Sequence, residues 1–348
     1  MKTNIVFGIT WMLCLALASG GARAETDGQA LAEGAGRSLI GTLAPRLVLK
    51  TIDGETIDLG RVYGKQAVYL KFWATWCTPC RQQMPHFERT FETAGPDLAV
   101  IAIDIGPAGD SLEAVQSYRH QLGIKMPIVF DDGQVAAAFN LRVTPQHIVI
   151  GRDGRIQYVG HLADARLDTA LVAARTPPAP GAPGAAARAQ TPRVLPRYSV
   201  GDLLPPLSPQ TVDGASFRLR DPTDTRYTVL VFLSPSCESY LESTNPTAAA
   251  NCRHVRERVD ALASERGARW LGIAQGIWIT PQDVRQYRDA YHVGIPLSLD
   301  EYGALFRAFA VTSVPSALVA DGSGRIVRRI EASEISGSNA LHDAVSVR

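Results

Sequence analysis

The chain carries no surplus of either charge: 35 lysines and arginines face 34 aspartates and glutamates, a net of +1. Binding to nucleic acid or to an anionic membrane surface draws on a basic surplus, so neither is an expected partner. Beyond the amino terminus no apolar run is long enough to cross a bilayer, which takes about 20 residues. Cysteine is scarce, five in 348 residues. Ahead of the first of them, Cys14, stands Trp11-Met12-Leu13, which lacks the small residues of a lipid-attachment signal.

The first 24 residues carry the marks of a secretory signal. Lys2 gives a positive start, Ile5 to Ala18 is apolar apart from Gly8 and Thr10, and Ala22-Arg23-Ala24 is a small-x-small cleavage site. The apolar run is short for a membrane anchor. Cleavage after Ala24 removes Lys2 and Arg23 but no acid, so Lys plus Arg falls from 35 to 33 against 34 acids, a net of −1. Cys14 is removed as well, leaving four cysteines: Cys77, Cys80, Cys237 and Cys252. An even number in an exported chain points to an oxidising compartment. A bacterial periplasm is the expected location.

At 348 residues the chain is too long for one ordinary domain. Residues 176–197, TPPAPGAPGAAARAQTPRVLPR, are rich in proline, alanine and glycine and read as a semi-extended linker. The expected division is a signal peptide over 1–24, one domain over 38–175, the linker over 176–197, and a second domain over 198–335. The two halves repeat each other. LAPRLVLKTIDGETIDL (43–59) matches LLPPLSPQTVDGASFRL (203–219), and AVYLKFWATWC (67–77) matches TVLVFLSPSC (228–237). AAAFNLRVTPQHIVIGRDGRI (136–156) matches ALFRAFAVTSVPSALVADGSGRI (304–326). Gly54 precedes Cys77 by 23 residues, as Gly214 precedes Cys237; Pro145 follows Cys80 by 65, and Pro315 follows Cys252 by 63. Two residues separate Cys77 from Cys80 and fourteen separate Cys237 from Cys252. The second half thus holds the same cysteine pair, expanded by twelve residues.

Coarse element signals agree. Asp53-Gly54 and Asp213-Gly214 mark hairpin turns. Ala67 to Ala74 is a short apolar strand, and Leu98 to Ile105 is a continuous apolar one, as expected at the centre of a sheet. Ser111 can cap a helix through about Leu122. Gln146 to Gly151 and Arg155 to Gly160 form a hairpin around Asp153-Gly154. Alternating strands and helices imply an α/β layered fold.

Trp76-Cys77-Thr78-Pro79-Cys80 carries the chemistry. Only a thiolate attacks a disulfide. A cysteine where a strand ends and a helix begins meets free N–H groups and the positive end of the helix dipole, and both favour S⁻. A cysteine three residues on lies one turn away and can attack the mixed disulfide to release the product. Pro79 gives up an N–H that had no helical partner. Cys77 is the expected nucleophile and Cys80 the resolving thiol.

Phe72-Trp73-Ala74-Thr75-Trp76-Cys77-Thr78-Pro79-Cys80-Arg81 resembles the active-site segment of TlpA/ResA-type thioredoxin-like disulfide oxidoreductases. The resemblance covers roughly residues 40–174 and, more weakly, 200–332. It implies two thioredoxin-like domains in tandem, each a central mixed sheet flanked by helices, joined by the Pro/Ala-rich linker. It also implies a cis-proline facing the disulfide, at Pro145, with Thr144 offering backbone hydrogen bonds to the substrate and Trp76 beside it. Val314-Pro315 occupies the same place in the second half. Two departures stand out. Thioredoxins proper have a buried aspartate where this chain has Lys71. ResA-type proteins often have a glutamate just after the central strand, where this chain reads Asp104-Ile105-Gly106-Pro107-Ala108-Gly109-Asp110. The group that takes the proton of Cys80 is therefore not identified. Lys71 either favours the thiolate electrostatically or snorkels its stem past the sheet edge. His86, His147 and His161 are scattered in sequence and read as structural or surface residues.

Three readings of Cys237 and Cys252 stay open. They form a structural disulfide, a second redox pair, or a two-thiolate site for copper(I), a soft ion, with His254 close in sequence. Glu238 and Glu242 add negative charge that should oppose a thiolate at Cys237.

The expected function is that of an enzyme, a periplasmic thiol–disulfide oxidoreductase. The resemblance implies reduction of protein disulfides with electrons from a membrane thiol-transfer protein. No cofactor or metal is expected, and the chain is read as a monomer. A peroxiredoxin-type peroxidase would need a lone cysteine in a Thr-x-x-Cys setting, which Trp-Cys-x-x-Cys does not supply. A metal(copper)-handling or substrate-binding protein, with the second domain as binding module, is the reading from another class.

Overall fold

Seven consecutive residues, Ala67–Trp73, are buried on both sides, which requires a strand at the centre of a sheet covered on both faces. The computed structural model describes residues 27–106, 110–177, 196–242, 246–264, 267–337 and 339–346. The expected signal segment 1–24, and all but the ends of the expected linker, lie outside the described residues.

The first half opens with a helix, α1 (27–36). It continues through β1 (Val48–Lys50), β2 (Thr56–Asp58), α2 (Leu59–Val62), β3 (Ala67–Trp73), α3 (Thr78–Glu92) and β4 (Leu98–Asp104). Then come α4 (Leu112–Leu122), β5 (Ile128–Phe130), α5 (Gln134–Ala138), β6 (Gln146–Ile150), β7 (Ile156–Gly160) and α6 (Ala165–Ala174). β1 and β2 pair as a hairpin whose turn needs the left-handed backbone of Gly54, at φ 84°. The main sheet runs β5-β4-β3-β6-β7, with β3, β4 and β5 parallel and β6 and β7 antiparallel to their neighbours.

The second half contains β8 (Tyr227–Leu233), α7 (Cys237–Leu241), α8 (Pro246–Ala263), β9 (Ala268–Gln275), α9 (Pro281–Tyr291) and β10 (Leu297–Asp300). It ends with α10 (Ala304–Ala308), β11 (Ser316–Ala320), β12 (Ile326–Glu331), α11 (Ala332–Gly337) and α12 (Ala340–Ser346). Its sheet, β10-β9-β8-β11-β12, repeats the order and directions of the first. β8 feeds two cores by alternation: Val229, Val231 and Leu233 go to one side, Leu230 and Phe232 to the other. The fold is mixed α/β, two five-stranded sheets flanked by helices, and the chain divides into two compact units around them.

Packed structure extends past the expected limits of both halves. α1 precedes residue 38, with Ala32 and Ala35 buried, and α12 follows residue 335, with Leu341 in the core. α1 lies between the expected signal and the expected first domain, and its burial shows that it belongs to the fold.

The repeat reaches into capping. After β10, the buried Asp300 carboxylate accepts the Ala304 and Phe306 N–H groups at 2.8 Å each, opening α10. After β5, Asp131 accepts from Val135 at 3.0 Å and Ala136 at 2.8 Å, opening α5. Burial pushes both carboxyls up to about 6. Asp300→Ala leaves these amides unpaired and should lower stability by about 1–2 kcal/mol. A urea melt checks this: the midpoint should fall at unchanged slope, and an unmoved midpoint would contradict the capping role.

Candidate active site

β3 stops at Trp73 and α3 starts at Thr78, so Cys77 is the N-cap of α3. Pro79 sits in the first turn, where a missing N–H costs nothing. Cys77 and Cys80 are joined as a disulfide, Cα to Cα 5.2 Å. The Cys80 amide donates to Cys77 Sγ at 3.3 Å. Cys77 is 2% exposed and Cys80 is 0% exposed, while Trp76 beside them is 43% exposed. The Thr144–Pro145 peptide is cis, and Thr144 O lies 3.3 Å from Cys77 Sγ. The structure therefore brings Cys77, Cys80, Thr144 and Pro145 together. Trp76 stands next to them on the surface.

Lys71 departs from its expected place. β3 is the middle strand of the sheet, so a side chain at its fifth residue has no edge to pass, and Lys71 is 0% exposed. The snorkelling alternative is overturned. Lys71 Nζ donates to Cys80 O at 3.4 Å and lies 5.2 Å from the centre of the Phe87 ring. Burial pushes the amine down to about 7.

His147 and His161, scattered in sequence, converge under the disulfide. His147 stands opposite Lys71 in the β3–β6 register and is buried. The Tyr69 hydroxyl donates to His147 Nδ1 at 2.9 Å, and Nε2–H donates to Gln83 Oε1 at 2.8 Å. Burial, reinforced by Lys71 and then His161, holds His147 well below the usual imidazole range, so it is neutral and this tautomer follows. Gln83 Nε2 donates to His161 O at 3.2 Å. His161, also buried, donates through Nδ1–H to Pro145 O at 2.7 Å. Gln29 of α1 accepts the His161 N–H at 2.9 Å. One chain of hydrogen bonds thus links β3, β6, α3 and α1 to the cis-proline. Gln146, buried ahead of His147, ties its amide to Phe139 O at 3.2 Å and accepts the Arg142 N–H at 3.1 Å, bracing the loop before Pro145. His86 pairs with Asp168 at 3.1 Å near the surface and is structural.

Residues 40–159 match the AhpC/TSA family. Thioredoxin-like protein YneN of Bacillus subtilis (strain 168) is 34% identical over 133 residues, which are 38% of this chain and 78% of that protein. Thiol-disulfide oxidoreductase ResA of Bacillus thuringiensis (strain Al Hakam) is 31% identical over 133 residues, 37% of this chain and 75% of that one. The chain belongs to this family of thioredoxin-like thiol-disulfide oxidoreductases. Among solved structures, a thioredoxin family thiol:disulfide interchange protein from Chlorobium tepidum TLS aligns with a TM-score of 0.35 and 26% identity, covering 39% of this chain and 97% of that chain.

In the second half of this oxidoreductase, Cys237 at the start of α7 and Cys252 within α8 are joined as a disulfide, Cα to Cα 6.2 Å. The Val314–Pro315 peptide is also cis. The expected negative charge at Cys237 is not left unbalanced. Arg256 grips the buried Glu238 with Nε at 2.7 Å and Nη2 at 3.1 Å, and Arg253 lies 3.9 Å from Glu238 and 3.7 Å from Glu242. Both arginines sit on α8 close to Cys252, so the electrostatic argument against a Cys237 thiolate falls. Among the described residues no group of three histidine, cysteine or acidic side chains is placed to hold a metal ion, and no helix is long and apolar enough to cross a membrane.

The buried amine of Lys71 predicts a pH dependence of stability. It titrates at about 7 in the folded chain, against about 10.4 for free lysine. Between these values the unfolded chain binds more protons, so stability rises with pH from about 7 upward, by at most about 1.4 kcal/mol per pH unit, and is lost on returning toward neutrality. Lys71→Met should remove this slope and raise stability at pH 7. Urea melts at pH 7, 8 and 9 check it: parallel pH profiles for the two proteins would contradict the neutral amine.

Proposed function

We propose that this oxidoreductase is exported to the periplasm and reduces protein disulfides through Cys77 and Cys80. The observation that carries the thiol–disulfide chemistry, with Cys77 as the attacking thiol, is the Cys80 N–H aimed at Cys77 Sγ at the first turn of α3; the direction, reduction, is taken from the resemblance. The same N–H, and the helix dipole behind it, stabilise a thiolate once the bond is reduced. Cys77 S⁻ attacks a substrate disulfide and breaks it, forming a mixed disulfide and releasing one substrate thiolate. Cys80 S⁻ then attacks Cys77 Sγ. The Cys77–Cys80 bond forms, the second substrate sulfur leaves with the electron pair, and two protons from solvent complete the substrate dithiol. Two electrons from a donor, read as a membrane thiol-transfer protein, restore the reduced pair. Thr144 and Pro145 beside Cys77, with Trp76 exposed at the rim, supply the surface for an extended substrate segment.

A peroxidase reading is not favoured, because Cys77 follows Ala74-Thr75-Trp76 and is bonded to a partner one helical turn away. Cys77→Ser should abolish reduction of insulin disulfides, and Cys80→Ser should accumulate a mixed disulfide through Cys77. Full activity of Cys77→Ser would refute the assignment.

The halves are read as tandem thioredoxin-like domains over 38–175 and 198–335, joined by the linker 176–197. Cys237–Cys252 is read as a structural bridge that pins the inserted α7 to α8. Sulfurs already joined are not copper(I) ligands, and reduction would have to precede any such role. The bridge closes a loop of about 16 residues, for which chain entropy gives roughly 3 kcal/mol of stabilisation. By linkage the fold stabilises the bridge equally, some ~60 mV for two electrons. In a graded dithiothreitol titration read by alkylation and mass spectrometry, Cys77–Cys80 should open first. Earlier opening of Cys237–Cys252 would move a redox or copper role ahead of the structural one.

A further inference from the structure

Resolution of the mixed disulfide requires Cys80 to lose a proton, and Cys80 sits inside the first turn of α3 with no exposed surface. Water does not reach it freely, so the proton needs an acceptor within the fold. We propose that Lys71 is the proton acceptor for the Cys80 thiol in the resolving step. The proposal rests on the reading of Cys77 as attacking and Cys80 as resolving thiol.

Placement carries the argument. Lys71 lies on β3 beneath the start of α3, and its Nζ is held 3.4 Å from Cys80 O, against the very residue that must be deprotonated. The ionisable groups around it are Tyr69 on β3, Asp104 on β4, His147 on β6, His161 after β7, and His86 on α3 with its partner Asp168 on α6. His147 is committed, accepting from Tyr69 and donating to Gln83, and burial keeps it neutral. Burial holds the Tyr69 hydroxyl well above the usual phenol range, so it gives no base near neutrality. His161 spends Nδ1–H on Pro145 O. His86 faces Asp168 near the surface. Asp104 is buried at the carboxyl end of β4, paired in register with Trp73, two pairs beyond the Lys71–Ala102 pair. From this set Lys71 hydrogen-bonds to Cys80 itself.

The step balances. Cys80 Sγ–H gives its proton to Nζ, leaving a thiolate and an ammonium. The thiolate attacks Cys77 Sγ, the Cys77–substrate bond breaks, and the substrate sulfur departs with the electron pair. The ammonium then returns its proton to that leaving sulfur or to solvent. A buried lysine is suited to this because desolvation lowers the amine's affinity for the proton toward neutrality.

The test is stopped-flow reaction of the full chain, reduced at Cys77–Cys80 with Cys237–Cys252 left oxidised, with 5,5′-dithiobis(2-nitrobenzoate), which gives one thiolate release on attack and a second on resolution. In the wild type the second phase should accelerate with pH through about 7. In Lys71→Met it should slow by about a hundred-fold or more at neutral pH, as for loss of a general base, and its rise should move up toward the range of the unassisted thiol. The first phase should change far less. A second phase unchanged in rate and pH midpoint would overturn the role of Lys71. If Cys77→Ser still shows the first phase, the underlying assignment of the attacking thiol fails instead, whatever Lys71 does. Should Lys71→Met fail to fold, wild-type protein labelled with ¹³C at cysteine Cβ keeps the question open to measurement. The Cys80 signal should titrate in two steps, one of them near pH 7 from the amine. A single step would overturn the proposal.

Discussion

The hydrogen bond from the Cys80 amide to Cys77 Sγ exists because β3 ends at Trp73 and α3 begins at Thr78. A helix start leaves four N–H groups without backbone partners, and here one of them is satisfied by sulfur. That single constraint fixes the rest of the site. It sets Cys77 outermost and Cys80 one turn inside, and it presses the first turn of α3 onto the middle strand of the sheet. The side chain beneath, Lys71, is thereby sealed from water, and the loop carrying Thr144 and Pro145 closes against Cys77 from the other side.

Much of this was legible in the chain itself. The two apolar strands, the strand-to-helix cysteine, the hairpin after Thr144-Pro145 and the internal repeat all follow from local patterns, and β3, α3, β6 and β7 lie where those patterns place them, although the middle of the sheet is β3 and not β4, the strand expected at the centre. What was not legible depends on which strand is central. Lys71 stays open between supporting the thiolate and snorkelling past an edge until the order β5-β4-β3-β6-β7 puts its strand in the middle. The signal was available in principle: a lysine inside a strand apolar at every other position has no solvent face to reach. His147 and His161 are brought together by the β6–β7 pairing, which their sequence spacing alone does not reveal, and Gln29 lies on a helix ahead of the expected first domain. Their convergence on Pro145 is a property of the sheet register and of the packing of α1 and α3.

The two halves set a cysteine pair in different surroundings on one scaffold. Strand order, a cis-proline and a cysteine at the end of the central strand recur in both. In the first half the second cysteine is one turn away, which makes a small ring that opens and closes. In the second half a twelve-residue expansion carries it onto α8, where the same bond spans two helices beside a buried Glu238–Arg256 ion pair. A buried pair of this kind is costly to break by loss of one partner, so the acid-base environment of Cys237 is set by structure rather than by its nearest acids. Position in the fold is shared; ring size and surroundings differ.

The most direct measurement of the central claim is site-resolved alkylation of the fully reduced chain by iodoacetamide across pH 5 to 9, with Cys77 and Cys80 distinguished by peptide mass spectrometry. The helix terminus acts on the outer thiol and hardly on one a turn inside. Cys77 should therefore label first at every pH, and its rate should already be close to its plateau at neutrality while Cys80 is still rising. Faster labelling of Cys80 near neutral pH would contradict the account.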